Sequence, residues 1–357
     1  MVPVVDVSRR GARFAAEFAE VAGRIARRGS YLLGEELESF ERELAAWIHA
    51  GHAAGVASGA SALQLALTAS GVGPGDDVLV PAFTAVPTAS AVVAAGATPV
   101  AVDVDRATAC VTPAALERAS TRRTRAAIVV HLYGFPAELP SPGGELMVIE
   151  DAAQAMGALG PPDRSRAAVY SFYPTKNLGG IGDGGAVVTH DAALDATVRL
   201  LRAHGLSGQY LHEVVSQNFR MSEIEAAWLR LGLATVASDV EARRVIAARY
   251  RAAAPQLRWQ RDDPRHAYHL CVFRTRQRDA DRERLASAGV ATAIHYPRAL
   301  TQQPAYRSWF PESCPEAEAW AAECVSVPCF PELTEDEIEF VAGALAELPT
   351  RAPCDHG

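Results

Sequence analysis

Short apolar runs recur along the first half of the chain, each bounded by polar or turn-forming residues. Helical patterns separate most of them, as at Ala60–Ser70 and Thr88–Ala95. This alternation predicts buried strands in a mostly parallel sheet that helices cover on both faces. The predicted strands are Ala54–Ala57, Val78–Val80, Pro99–Val102, Ala127–Val130, Met147–Ile149, Val169–Phe172 and Ala186–Thr189. The segment Gly182–Thr189, which begins with GDGG, suggests a hairpin-like return after the sixth strand.

The second half of the chain has a different pattern of apolar and polar residues. A long helical region runs from Met221 to about Arg251, and Pro255 interrupts it. The pattern then predicts two strands and three helices, the last with the spacing of a capping box at Thr334–Glu337. These elements are strands His269–Arg274 and Thr292–Tyr296, and helices near Ala280–Ala288, Pro315–Glu323 and Glu335–Leu345. We therefore expect a large α/β domain with an N-terminal arm (residues 1–235) and a small C-terminal α+β domain (residues 236–357).

Composition narrows the class of protein. With 357 residues, 49% of them hydrophobic and 21% charged, the chain can bury a large core. The net charge of -8 and the pI near 5.7 argue against binding to nucleic acid or to an anionic membrane. No apolar run approaches the length of a membrane span, and the start MVPVVDVSRRG lacks a signal-peptide pattern. A cytoplasmic protein is the expectation.

The cysteines are scattered and show neither CxxC nor Cys/His ligand spacing. Reduced thiols and no metal site are therefore expected. The six residues are Cys110, Cys271, Cys314, Cys324, Cys329 and Cys354.

Two residues carry candidate chemistry. Lys176 lies in the glycine-rich loop SFYPTKNLGG after an apolar strand, and Asp151 ends another strand in VIEDAAQ. Alone, such a lysine is usually a solvated loop residue and such an aspartate a turn or helix cap. Together they can hold an aldehyde cofactor as a Schiff base and keep its pyridine nitrogen protonated. Ligands of parallel sheets collect at the carboxyl ends of strands, where both residues fall.

Five segments share an order and spacing with a known family. They are PAFTAVPTASAVVAAGATPVAVDVD, HLYGFPAEL, VIEDAAQA, SFYPTKNLGGIGDGGAVVT and IHYPRALTQQPAY. The chain resembles the sugar aminotransferases of the DegT/DnrJ/EryC1/StrS family from about Ser30 to the helix near Thr334. The resemblance implies the fold type I architecture of aspartate aminotransferase, with a seven-stranded sheet. It also implies pyridoxal 5'-phosphate as cofactor, with pyridoxamine phosphate as its intermediate form.

The resemblance assigns roles around the cofactor. Lys176 matches the residue that binds the aldehyde and moves the proton, and Asp151 matches the partner of the pyridine nitrogen. Ala153 matches the small residue on one ring face, Gln154 the side chain near the ring hydroxyl, and Ser171 a phosphate ligand.

The N-terminus of a helix offers a further phosphate site. Gly59, Ala60 and Ser61 open this helix, and its free backbone N–H groups suit an anion. The alternative is a plain helix cap at Ser58–Ser61, and both interpretations can hold together. The chain departs from the family's usual residues at three positions. Ala60 replaces a threonine, Ala85 an aromatic residue, and Met156 a common histidine.

Contacts with a partner and a substrate are also implied. Asn218 matches an asparagine that reaches the cofactor phosphate of the other subunit, which implies a homodimer with a shared active site, although a loop or cap role is common for such a residue. Tyr173, Tyr210, His295 and Tyr296 resemble residues of the sugar pocket. From the residues alone, a histidine or tyrosine in an apolar strand is more often part of the core.

The stretch His204–Glu213 has the spacing found in enzymes that aminate C3 of dTDP-linked keto-6-deoxyhexoses. The expected reaction therefore takes an amino group from glutamate to a nucleotide-linked keto-deoxysugar, in natural-product or antibiotic biosynthesis. A 4-ketosugar or cyclitol aminotransferase and a non-catalytic regulatory protein are the alternatives. A related sugar dehydratase is disfavoured, because such enzymes have histidine in place of Lys176.

Overall fold

A seven-stranded sheet forms the centre of the molecule in the computed structural model, which describes residues 1–141 and 146–349. Each strand overlaps one of the seven predicted apolar runs, and every residue of β2 and β7 is buried because helices cover both faces. In chain order the strands are β1 (His52–Val56), β2 (Asp77–Pro81), β3 (Thr98–Val102), β4 (Thr124–Val130), β5 (Met147–Asp151), β6 (Ala167–Ser171) and β7 (Gly185–Thr189).

The strand order across the sheet is β1-β7-β6-β5-β4-β2-β3. Strands β2 to β6 pair in parallel, whereas β7 pairs antiparallel with both β6 and β1. Strand β7 is thus the one member of this sheet that runs against the others. The predicted fold type and the predicted return after Gly182 are both confirmed.

Helices surround this sheet and build most of the second half. Local signals mark where some of them begin and end. Ser58 and Thr334 form capping boxes at helix starts, and Gly29, with φ 71°, ends the first helix. The helices are α1 (Val7–Arg28), α2 (Glu35–Ile48), α3 (Gly59–Ala69), α4 (Pro87–Ala94), α5 (Pro113–Ala119), α6 (Ala192–Leu201), α7 (Glu223–Leu233), α8 (Val236–Ala253), α9 (Arg278–Ser287), α10 (Pro315–Glu323) and α11 (Glu335–Ala346).

Two smaller sheets complete the fold. A hairpin, β8 (Leu206–Gly208) and β9 (Leu211–His212), lies between α6 and α7. Strands β10 (Arg258–Trp259), β11 (Cys271–Arg274) and β12 (Cys324–Val327) form an antiparallel sheet within the second half. The proposed division after residue 235 stays a prediction, although this sheet falls wholly beyond it.

Aromatic packing joins the helices to the region after β6. Phe40 of α2 and Phe172 are fully buried and meet edge to face, with ring centroids 5.4 Å apart. Burying one such side chain contributes about 1.5–3 kcal/mol. On the other side, Trp228 of α7 donates from its indole nitrogen to the Gly179 carbonyl (2.9 Å). The loop that carries Lys176 is thereby fixed at Phe172 and at Gly179, on either side of the lysine.

Two sequence-based predictions are wrong in detail. Thr292–Tyr296 is not a strand: Ala293 makes an isolated bridge to Ser326, and the place beside β11 is taken by β12, which the sequence analysis missed. The long helix from Met221 to Arg251 is two helices, α7 and α8, separated at Ala234 and Thr235. The predicted strand His269–Arg274 is confirmed from Cys271 onward.

No helix in the two described ranges has both the length and the apolar character needed to cross a bilayer. Five cysteines are buried free thiols. Cys354 lies outside the described residues.

Candidate active site

The two candidate catalytic residues lie at the same edge of the sheet. Asp151 is the last residue of β5, and Lys176 lies in the loop that leaves the carboxyl end of β6. Because β5 and β6 are adjacent and parallel, these ends meet at one edge. The structure therefore places both residues where the sequence predicted a ligand site.

Asp151 is a buried carboxylate with two neutral hydrogen-bond donors. Its Oδ2 accepts from the Thr88 hydroxyl (3.1 Å) and its Oδ1 from the Ala153 N–H (3.1 Å). Burial raises the pKa of Asp151, opposed by the Ala153 hydrogen bond and the charge of Lys176. Within residues 1–141 and 146–349 it forms no ion pair. A buried carboxylate of this kind suits a cationic ligand group such as a protonated ring nitrogen.

The environment of Lys176 favours the neutral, nucleophilic form of its amine. Burial lowers its pKa to about 8, and the charge of Asp151 opposes this shift. The backbone of the loop is fixed, since Arg10 Nη1 donates to the Lys176 carbonyl (3.0 Å) and the Lys176 N–H donates to the Tyr173 carbonyl (2.8 Å). The side chain remains half-buried at the edge of a cavity.

The N-terminus of α3 approaches the end of β6 closely. A Cβ on Gly59 would lie 2.7 Å from Cβ of Ser171, so only glycine permits this approach. The Ser58 hydroxyl accepts from the Ser61 N–H (3.1 Å), and the Ser61 hydroxyl accepts from the Ser58 N–H (2.8 Å). The Ser61 hydroxyl is thus used inside the helix cap. The amides of Gly59 and Ala60 remain at the open end of the helix, which suits a phosphate.

A cavity of about 350 Å³ adjoins Lys176. Gln154, Tyr173, His295 and Tyr296 all line it, so four predicted site residues meet Lys176 there. The Gln154 amide is oriented at both ends, because its oxygen accepts from the Tyr133 N–H (2.6 Å) and its nitrogen donates to the Tyr296 hydroxyl (3.0 Å).

His295 is neutral at ordinary pH. Burial, with the charge of Lys176, lowers its pKa to about 4. Its Nδ1 lies 2.9 Å from the Ser326 hydroxyl. The imidazole therefore offers hydrogen bonding rather than charge to a ligand.

Of the predicted site residues that do not line this cavity, two are exposed. Tyr210 is 88% exposed between β8 and β9, and Asn218 is exposed, with its Oδ1 accepting from Arg220 Nε (3.0 Å). Neither lines the cavity beside Lys176. The predicted role of Asn218 requires a second subunit, and the roles of both residues stay predictions.

The departures from the family pattern have local consequences. Met156 is buried in the apolar cluster that contains Phe40 and Phe172, so its side chain has no polar function there. Ala85 is half-buried in the turn between β2 and α4. Ala60 lacks the hydroxyl of the usual threonine, so its backbone N–H is the donor that it can offer to a phosphate.

Sequence reasoning missed several residues around the site. Thr88 was predicted only as the start of a helix, yet its hydroxyl holds Asp151. Arg243 and His269 line the cavity, although their segments read as an ordinary amphipathic helix and strand. No periodicity distinguishes them from neighbouring polar residues, so no signal in the single sequence identifies them.

Comparisons with known proteins agree with this geometry. The chain is 41% identical over 98% of its length to dTDP-3-amino-3,4,6-trideoxy-alpha-D-glucose transaminase of Streptomyces venezuelae, of which it covers 97%. It is 40% identical to a UDP-N-acetyl-3-dehydro-alpha-D-glucosamine 3-aminotransferase of Acidithiobacillus ferrooxidans, with 96% of each chain covered. The crystal structure of DesV from S. venezuelae superposes with a TM-score of 0.93 at 39% identity, covering 98% of this chain and 99% of that one.

The model of the DegT/DnrJ/EryC1/StrS aminotransferase family matches residues 13–346. This match and the relatives confirm the predicted family, the predicted enzyme class (a sugar aminotransferase) and pyridoxal phosphate as the cofactor. The placement of Lys176 and Asp151 at one sheet edge, the glycine approach at α3 and the match over nearly the whole chain lead to one conclusion: the chain belongs to the DegT/DnrJ/EryC1/StrS aminotransferase family.

Proposed function

We propose that this protein transfers the amino group of glutamate to C3 of a dTDP-linked 3-keto-6-deoxyhexose. The observation that carries the chemistry is that a buried Asp151 carboxylate and a Lys176 amine of lowered pKa lie close enough for their charges to interact, with Lys176 lining the cavity. The substrate is inferred from relatives whose names specify 3-amino sugars, one linked to dTDP and one to UDP.

The residues that would hold the cofactor divide by chemical type. Asp151 would bind the ring nitrogen, Ala153 would pack on a ring face, and Gln154 would bind the ring hydroxyl. The α3 amides of Gly59 and Ala60 would bind the phosphate.

Ser171 would supply a hydroxyl to the same phosphate. The Ser61 hydroxyl is already used in the helix cap, so Ser61 would help to place the α3 N-terminus rather than bind the phosphate through its side chain. When bound, the cofactor supplies an aldehyde that condenses with amines and a cationic ring that accepts electrons.

Proton movement falls to Lys176. A pKa of about 8 leaves about one amine in ten unprotonated at pH 7, against about one in three thousand for an ordinary lysine. The Nζ atom can therefore accept the α-proton of glutamate. In the second half-reaction the same atom would return a proton to C3 of the sugar and so set its stereochemistry.

The acceptor would lie at the cavity mouth. Tyr173, His295 and Tyr296 line the cavity and would contact the hexose, with His295 neutral and Tyr296 oriented by Gln154. Tyr210 would contact the nucleotide sugar, and Asn218 would reach the cofactor phosphate of the neighbouring subunit. The active unit is accordingly proposed to be a homodimer.

A screen of keto-sugar nucleotides tests the function. Purified holoenzyme, glutamate and dTDP- or UDP-linked 3-keto and 4-keto sugars are combined, and the products are identified by mass spectrometry and NMR. The proposal predicts a dTDP-3-amino-6-deoxyhexose and 2-oxoglutarate in equal amounts. Amination at C4, or only of a UDP sugar or a cyclitol, would contradict it. A dTDP-3-amino product would also support a role in natural-product deoxysugar biosynthesis.

A further inference from the structure

The inner wall of the Lys176 cavity carries positive charge and contains unused hydrogen-bond donors. Arg243 of α8 is 1% exposed, and its Nη1 donates to the carbonyls of Cys329 and Tyr268. Its Nε and Nη2 have no partner in the described part of the chain. Leaving a buried donor unpaired costs about 1–3 kcal/mol, and more for a charged group. The charges of Glu332 and Asp239 act on Arg243, but no acceptor in the described part of the chain binds these two nitrogens.

His269 strengthens this interpretation from the neighbouring strand region. It is 8% exposed, lines the same cavity, and its Nδ1 is also without a partner among the residues described. Burial holds its pKa well below the usual value, and the charges of Lys176 and Arg243 add to that effect. The groups around this imidazole are therefore predominantly cationic.

No carboxylate of the described residues lines the cavity. The nearby acids lie closer to other arginines and accept no hydrogen bond from Arg243: Asp239 pairs with Arg13 (2.9 Å), and Glu332 lies within 4.0 Å of Arg10 and Arg13. Cys329 does not neutralise Arg243 through a directed contact, because its thiol donates to the Arg243 carbonyl (3.7 Å). A ligand that binds these nitrogens must therefore supply the hydrogen-bond acceptors, and a negative charge suits the cationic groups around it.

The size of the cavity limits that ligand. Its volume of about 350 Å³ is near the lower end of the range for ligand sites, about 300–1,000 Å³. An amino acid fits this space better than a complete nucleotide sugar. A carboxylate also matches the planar fork of an arginine, which can bind it with two hydrogen bonds.

We propose that Arg243 and His269 bind a carboxylate of the amino donor and so present its amine to the Lys176 side of the cavity. This inference rests on the proposed transfer from an α-amino acid. It gives these two residues a role in donor recognition that is separate from recognition of the sugar.

The test measures binding of glutarate, a dicarboxylate without an amine, to the holoenzyme by calorimetry. Arg243→Lys keeps the charge but loses the fork, and we expect its affinity for glutarate to fall about 10-fold or more. The same variant should need correspondingly more glutamate to convert the cofactor spectrum. His269→Gln is the second variant and should weaken glutarate binding in the same direction.

Arg244→Lys is the matched control. Arg244 is the next residue of α8, and it donates to the carbonyls of His266, Gly157 and Arg265 without lining the cavity. We expect this control to bind glutarate within twofold of wild type. Thermal unfolding of each holo-variant identifies those that are folded.

Unchanged glutarate affinity in the folded Arg243 or His269 variant would overturn the inference. So would equal losses of affinity for glutarate and for the keto-sugar, because a purely structural role would affect both ligands. Failure of wild type to react with glutamate would instead overturn the proposed function. The two failures are therefore distinguishable.

Discussion

Replacing Gly59 with alanine tests the contact between α3 and β6. The new Cβ would lie 2.7 Å from Cβ of Ser171, 3.2 Å from its Oγ and 3.3 Å from its Cα. The helix end or the strand end must therefore shift. Overpacking of this kind costs about 1–3 kcal/mol. With an unfolding entropy of about 2.1 cal/mol/K per residue, this predicts a fall in apoprotein Tm of about 1–4 °C.

The same shift should weaken cofactor binding more than it weakens the fold. If Ser171 and the α3 amides bind the phosphate, displacing one charged hydrogen bond costs about 1.5–3 kcal/mol, or about 10- to 100-fold in Kd. Absorbance titration of apoprotein with pyridoxal phosphate measures this change. A lowered Tm with unchanged cofactor Kd would refute the placement of the phosphate.

Gly11→Ala is the control for this experiment. Gly11 lies within α1, and a Cβ there would meet nothing within 4 Å. Alanine in a helix interior stabilises by about 0.5–1 kcal/mol relative to glycine. We expect a small rise in Tm and an unchanged cofactor Kd. A lower Tm or weaker cofactor binding in Gly59→Ala would then be due to the contact at Gly59 and not to the added methyl group itself.

Further predictions concern the catalytic groups and the dimer. Because only the neutral amine attacks the aldehyde, the rate of cofactor capture by apoprotein should rise with pH and level off above about 8; an inflection near 10 would contradict the lowered pKa of Lys176. Borohydride reduction of the holoenzyme followed by peptide mass spectrometry should place the label on Lys176, and a label elsewhere would refute the assignment. Asp151→Asn should bind cofactor yet react with glutamate orders of magnitude more slowly, and comparable turnover would show another partner for the ring nitrogen. Asn218→Ala and Lys176→Ala chains, each with severely reduced activity alone, should give heterodimers with about half of wild-type activity. No recovery despite proven heterodimers would place Asn218 outside a shared site.

The sheet was predictable because burial on both faces leaves continuous apolar runs, as in Val78–Val80 and Ala186–Thr189. Helix α1 was not predicted. It is a surface arm in which polar residues outnumber the few buried ones, such as Phe14 and Ile25. The strand predicted at Thr292–Tyr296 was wrong because the apolar character of this segment belongs to the cavity wall.

The candidate site was partly predictable for a related reason. Lys176 and Asp151 lie in short, local motifs, so their chemistry is visible in sequence. Arg243 belongs to a helix far along the chain from Lys176. That helix contains several arginines, and its sequence does not show which of them is buried. The burial of Arg243 depends on packing against Cys329 and Tyr268, which sequence separation hides.

The reversal of β7 has a consequence for redesign. Because the chain leaves β6 and returns through β7 at the same edge, the loop from Phe172 to Gly184 is closed at its base by a hydrogen bond between those residues (2.8 Å). The lysine is thus anchored independently of the β8–β9 hairpin and of residues 292–296. Those two segments are the natural places to randomise in an altered-acceptor library, since changes there leave the tether of the reactive amine intact.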